Sequence, residues 1–328
     1  MTTYLRMIAG VATAATTAAV LAMNATAQQR PAQIGFVSWF SPTEAVHVEH
    51  LKQGLKDYGW LDGQSYQVEA HYTDGNRQRT REVVEALIRK PVDLLVVRAT
   101  TVAHIAKEAI QTLPVVFMVS DPLATGIVPD LARPGGNMTG LSLQGPDLAG
   151  KRLELLRSIK PNLKTVAFLG SSADPNAATF VRQLQAAATT LSIELVVTLL
   201  EGPGKIAEDV FKDFADRKAE AIVVQPIFTG HQARIVPLAM KYRLAVVSNY
   251  TVFPAAGALL SFGPDDADQT RRAAYYVDRI LKGAKPADLP VEQPSRFLLA
   301  INTETARQLG LTVPQSLLVA ADEIYGAR

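Results

Sequence analysis

The sequence predicts an α/β protein made of two doubly wound parallel-sheet lobes, on three observations. Short, continuously apolar runs recur along the chain, separated by amphipathic stretches of ten or more residues, which is the pattern of a parallel sheet covered by helices on both faces. That pattern runs through once before a Gly-rich stretch at 135–140 and starts again after it, and 328 residues are enough for two such units. No long structureless linker separates the halves, so they exchange segments across short crossings.

The first lobe opens with an apolar run at 34–37 that ends in the loop Ser38-Trp39-Phe40-Ser41-Pro42. Val48, Leu51, Leu55 and Tyr58 then recur at helical spacing, and Gly59 stands where a left-handed cap closes such a helix. Residues 66–72 alternate as a strand, 79–89 form an amphipathic helix around Val83 and Leu87, and 93–97 is an apolar strand stopped by Arg98. A helix at 101–110 and a strand at 115–119 complete the set. In the second series, helix 147–159 turns Leu148, Leu153, Leu155 and Leu156 inward and leaves Lys151, Arg152 and Arg157 to water. Strands at 165–169, 194–199, 221–224 and 245–248 alternate with helices at 176–191, 205–217 and 231–242. From Leu259 onward follow helix 268–281, a strand near 296–301 and a helix at 303–309.

Composition narrows the function. With 48% hydrophobic and 20% charged residues the chain is globular, not disordered, collagen-like or coiled-coil. Its 33 Lys+Arg against 31 Asp+Glu leave no concentrated basic surface, so no nucleic-acid partner is expected. Cysteine is absent, which excludes disulfides, thiolate metal sites, a cysteine nucleophile and a lipid-bearing N-terminal cysteine. Arg6, the uncharged Ala-, Val- and Leu-rich stretch 7–23 and the small residues Ala25-Thr26-Ala27 predict a signal peptide over 1–27, cut before Gln28. The rival reading, a membrane anchor, needs ~20 strongly apolar residues. An exported chain without disulfides fits a bacterial periplasm.

In open parallel sheets, ligands sit outside the carboxyl ends of the strands. Those positions hold Ser38, Trp39 and Phe40, then Arg98, Ala99, Thr100 and Thr101, then Ser120 and Asp121 in the first half. The second half offers Ser171, Ser172 and Asp174, then Gln225, Pro226, Ile227 and Phe228, then Asn249 and Tyr250. Hydroxyls before helix starts either hold a carboxylate against open backbone N–H groups or serve as plain N-caps. Trp39, Phe40, Phe228 and Tyr250 either stack on a ligand or pack between the lobes. Arg98, ending an apolar strand, meets either an anionic ligand group or a structural ion-pair partner.

Enzyme motifs are missing. The nearest approach to a nucleophile elbow, Gly140-Leu-Ser142-Leu-Gln-Gly145, has one residue too many before its last glycine. There is no phosphate-loop lysine motif and no G-x-G-x-x-G. His47 and His50 are three apart on a helix but have no evident third ligand, so they read as a solvated helix face and no metal is expected. Asn137-Met-Thr139 is a glycosylation sequon, idle in a bacterial periplasm.

One long stretch carries a resemblance. Asp121-Pro122-Leu-Ala-Thr-Gly126-Ile-Val128, then Leu131-Ala-Arg133-Pro134-Gly135-Gly136-Asn137-Met-Thr139-Gly140-Leu-Ser142, then Lys151-Arg-Leu-Glu154-Leu-Leu156 closely resembles the ABC transporter substrate-binding family whose better-understood members bind tryptophan or tyrosine. The run Arg272-Ala-Ala-Tyr-Tyr-Val-Asp278-Arg-Ile-Leu-Lys282-Gly283-Ala-Lys-Pro286-Ala-Asp288-Leu-Pro290-Val291 is similar too, as is Asn302-Thr-Glu-Thr-Ala306-Arg-Gln-Leu309-Gly310-Leu.

The resemblance implies a type I periplasmic-binding-protein (Venus-flytrap) fold, with two α/β lobes joined by three crossings and closing over a ligand. Lobe 1 would comprise 32–139 plus 262–292, and lobe 2 would comprise 140–261 plus 293–328, with hinge residues Asn137, Gly140, Phe262 and Gly263. It implies a periplasmic, monomeric, non-enzymatic protein without cofactor that captures a small molecule and delivers it to an inner-membrane permease. A ligand-sensing module for a membrane receptor and an exported hydrolase are the alternatives. Carried over by position, the ligand loops are 38–41, 99–101 and 120–122 on the first lobe, and 171–174, 226–228 and 249–250 on the second. Within them, Thr100, Thr101 and Ser38 are expected to hold an anionic end, Asp121 or Asp174 an ammonium, and Trp39, Phe228 and Tyr250 a flat or apolar body. Relatives commonly carry a small residue at Arg98 and a glycine-threonine pair at Ala99-Thr100; the charged Arg98 favours a ligand with a carboxylate or other anion.

Overall fold

A computed structural model describes residues 30–42 and 45–326; the expected signal peptide and its cut before Gln28 lie outside the described residues. The first unit runs β1 (Ala32–Ser38), α1 (Val46–Asp57), β2 (Tyr66–Tyr72), α2 (Arg77–Ile88), β3 (Leu94–Arg98), α3 (Thr100–Ala109), β4 (Val115–Val119) and β5 (Met138–Ser142). The second runs α4 (Ala149–Ile159), β6 (Thr165–Ser171), α5 (Ala177–Thr190), β7 (Glu194–Leu200), α6 (Glu208–Asp216), β8 (Ala221–Val224), α7 (Gln232–Lys241), β9 (Ala245–Ser248), α8 (Val252–Ala255) and β10 (Leu260–Pro264). The chain ends with α9 (Asp266–Leu281), β11 (Phe297–Asn302), α10 (Thr303–Leu309), α11 (Gln315–Ala320) and β12 (Glu323–Tyr325).

Two sheets result. One has the order β2-β1-β3-β4-β5, all parallel, and the other β12-β11-β10-β9-β8-β6-β7, in which β11 runs antiparallel to β10. The segment β7-β6-β8-β9-β10 repeats the strand order of the first sheet, as the doubled sequence pattern requires. Central strands β3, β4, β6, β8 and β9 are buried at every residue, which is why they read as continuous apolar runs. The edge strands β2 and β7 mix partly buried and exposed positions, with one buried residue each.

The chain passes between the sheets three times. It leaves β5 in the first sheet for α4; it leaves β10 in the second sheet for α9, which packs on α1; and it returns from Glu292, bonded beside β5, to β11. Two expected boundaries move. The strand β5 continues in the first sheet to Ser142, past the boundary expected at 139/140, and β10 lies wholly in the second sheet, which places Phe262 and Gly263 there. Neither strand has a strong pattern, because each is five residues long and interrupted by glycine.

Those glycines are needed for close approach. A Cβ on Gly140, which sits at φ 149, would lie 2.0 Å from the Phe117 carbonyl oxygen, and one on Gly263 would lie 2.2 Å from that of Asn249. Among the other expected hinge residues, Asn137 donates its side-chain amide to the Leu113 carbonyl (2.7 Å) and Phe262 stacks on Phe297. Arg152 is a correction: expected at the solvent face of α4, it is 0% exposed. Among the described residues, no helix is long and apolar enough to cross a membrane.

Candidate ligand-binding site

The loops that follow the strands of both sheets meet in one pocket. Phe40 after β1, Arg98 to Thr100 after β3, and Ser120 after β4 face Asp174 after β6, Pro226 and Ile227 after β8, and Tyr250 after β9. Met118, Val119 and Leu143 complete the lining. Parallel pairing of Ser38 with Arg98 and of Arg98 with Met118 brings the first set to a common edge. About 20 Å³ remains inside, room for a water.

Arg98 is 1% exposed and forms an ion pair with Asp266 in the first turn of α9. The same carboxylate bonds His47 Nε2 at 2.7 Å, His47 Nδ1 lies 3.3 Å from the guanidinium, and the guanidinium lies over the Phe40 ring. Burial alone would raise the Asp266 carboxyl, but Arg98 and His47 outweigh it and hold it well below the usual carboxylate range. Of the two readings open for Arg98, the ion-pair partner is present in Asp266, while the residue also stands in the pocket lining. His47 likewise is buried and not on a solvated face.

Ala99 precedes α3 with φ 89 and ψ 146, a conformation favourable only for glycine. That turn places the start of α3 at the pocket, with Ala99 and Thr100 in its wall. The first intrahelical backbone bond is donated by Ala103, so the N–H groups of 100–102 are the open donors of the helix start.

The opposite wall is organised by Asp174, which is 7% exposed. Its carboxylate accepts from the Asn176 backbone N–H (2.9 Å) and from Gln225 Nε2 (2.7 Å), and Gln225 Oε1 in turn accepts from the Ser171 N–H (2.8 Å). Burial pushes the Asp174 carboxyl up to about 6 against the opposing pull of the Asn176 donors. Asn176 Nδ2 also donates to Thr100 Oγ1 at 2.6 Å, and Thr101 Oγ1 donates to the Ala173 carbonyl at 3.3 Å, so the lobes touch directly beside the site.

The remaining expected residues lie around this pocket without lining it. Trp39 and Phe228 are buried in the apolar core. Ser38 accepts from the Phe40 N–H, and Ser171 from the Ala173 N–H, each within its own turn. Asp121 accepts from the N–H groups of Leu123 and Ala124. Asn249 is buried with its carbonyl against Gly263. Asn176 and Asp266 were missed because each reads as an ordinary helix-start polar residue, and the pairing that gives each its role comes from a distant segment. No cluster able to hold a metal occurs among the described residues.

Residues 36–325 match the model of a family described as ABC transporter substrate binding protein. A tyrosine-binding protein of Clostridioides difficile is 21% identical over 262 residues, 79% of this chain and 75% of that one. The crystal structure of an ABC domain in complex with L-Trp from Streptococcus pneumonia superposes with a TM-score of 0.83 at 28% identity, covering 90% of this chain and 99% of that one. A conserved domain protein from Vibrio cholerae gives 0.84 at 26% identity, covering 90% and 100%.

Proposed function

This chain belongs to the ABC transporter substrate-binding protein family, and we propose that it captures a free amino acid with an apolar side chain between its lobes in the periplasm and delivers it to a membrane permease. The observation that carries this reading is Asp174, a carboxylate built into the wall of a mainly apolar pocket and held by Asn176 and Gln225. An ammonium ion is its natural complement, since the pair removes the cost of the buried charge. The open N–H groups at the start of α3 suit the ligand carboxylate. Phe40, Met118, Leu143, Ile227 and Tyr250 offer apolar surface for the side chain.

Arg98 does not alter this assignment, because Asp266 already neutralises it. The bound tryptophan of the streptococcal relative and the name of the clostridial one agree with an aromatic amino acid. Thermal shift with L-tryptophan, L-tyrosine and L-phenylalanine, beside tryptamine and indole-3-propionate, tests it. The amino acids should raise the melting temperature at millimolar concentration and the two single-ended analogues should not. Equal shifts with indole-3-propionate would remove the role given to Asp174.

A further inference from the structure

Arg152 on α4 is a fully buried guanidinium with no carboxylate partner among the described residues. Its Nε donates to the Phe262 carbonyl at 2.8 Å and its Nη1 to the Gly145 carbonyl at 3.1 Å, while Nη2 is buried without a partner. Both carbonyls belong to segments leading between the lobes, Gly145 just after β5 and Phe262 in β10. The Gly145 turn that Arg152 holds abuts the pocket wall. A Cβ on Gly145 would sit 3.1 Å from Ser120 Oγ, and Ser120, Leu143 and Tyr250 all line the pocket. Burial pushes the Arg152 guanidinium down to about 9, with Tyr250 acting in the opposite sense, and it remains charged at neutral pH.

A lone buried cation is costly unless an anion completes it, and bonds to neutral carbonyls satisfy its protons without cancelling its charge. Arg98, the more obvious cation at this site, has its anion already in Asp266.

We propose that Arg152 is the specificity-determining charge of the interlobe site: standing one layer behind Tyr250 and Ser120, it makes the pocket select ligands that carry a carboxylate. This rests on the interlobe pocket being the amino-acid site. Arg152 acts through the pocket wall and so is a positioning residue. Asp174 receives the ammonium, the open N–H groups at the start of α3 meet the carboxylate beside it, and Arg152 adds a positive field from behind the wall, so together they recognise a zwitterion. A brace that only held the two crossing segments together would not distinguish one ligand charge from another.

The test is calorimetric binding of L-tryptophan, L-tyrosine and their primary amides to the wild type, Arg152→Gln and Arg152→Lys. Wild type should prefer each acid over its amide by about tenfold or more. Arg152→Gln should bring the ratio close to one, and Arg152→Lys, which keeps the charge and loses the fork, should retain the preference at lower affinity. Parallel losses for acid and amide in Arg152→Gln, with the ratio unchanged, would overturn the proposal and leave Arg152 a brace. Should that variant not fold, the side-chain nitrogen resonances of Arg152 in the wild type decide. They should shift with the acids and not with the amides, and equal responses overturn the proposal. Failure of the wild type to bind all four probes would overturn the amino-acid reading itself, and this inference with it.

Discussion

Under the proposed function, Asp174 would connect ligand binding to proton binding at a single residue. Its carboxyl lies at about 6, above the ordinary 3.8, because burial penalises the charge. The folded state therefore holds the proton more tightly than the unfolded chain, so this group favours folding most at low pH. That contribution declines as pH rises from about 4 to about 6, by about 3 kcal/mol in all. Ligand binding has the opposite sign: an ammonium needs the ionised form, so affinity falls as pH drops below about 6. Melting temperature and calorimetric affinity measured from pH 7 to pH 5 should thus diverge in the wild type. In Asp174→Asn the pH trend of both should flatten, and affinity should fall by about 2 kcal/mol or more. The sequence places Asp174 after a strand, where it is one of several acids at the edge. What distinguishes it from Asp121, whose carboxylate closes an exposed turn, is burial beside Gln225 and Asn176.

At the scale of elements, the turn from β3 into α3 carries strain. Ala99 occupies a region that costs a residue with a Cβ about 1–3 kcal/mol, partly offset for glycine by its larger entropy in the unfolded chain. Ala99→Gly should therefore raise stability by about 1 kcal/mol in a denaturant titration, with the slope unchanged; a loss of stability would mean that the turn is not strained. Most helices and central strands are legible in the sequence because their burial pattern is their residue pattern: 66–72, 115–119, 221–224, 245–248 and 303–309 coincide with observed elements. By contrast β12, three residues long, exists through pairing with β11 and has no periodicity of its own.

The whole molecule stands with its lobes in contact. The Asn176–Thr100 and Thr101–Ala173 hydrogen bonds cross the cleft beside the pocket, and under the proposed function their partners separate when an amino acid enters. Removing the shorter contact should release about 1 kcal/mol of closure. Asn176→Ala is therefore expected to shift the unliganded protein toward an open form, read as a larger radius of gyration in small-angle scattering, which saturating L-tryptophan reverses. An unchanged radius in the absence of ligand would show that the three chain passages, and not this contact, set the lobe angle.

The sequence by itself determined the doubled α/β architecture, the family, and the strand ends that meet at the site, because each depends on local periodicity or on a long contiguous motif. Only the tertiary structure decided how the side chains at those strand ends are buried and paired. Arg98 and Arg152 show the reason. By its position along the chain Arg98 resembles an anion site, yet it is neutralised by Asp266, 168 positions away. Arg152 has the spacing of a solvated helix residue, yet it is buried against carbonyls 7 and 110 positions away. Charge compensation is a property of three-dimensional neighbours, and no spacing along the chain encodes it.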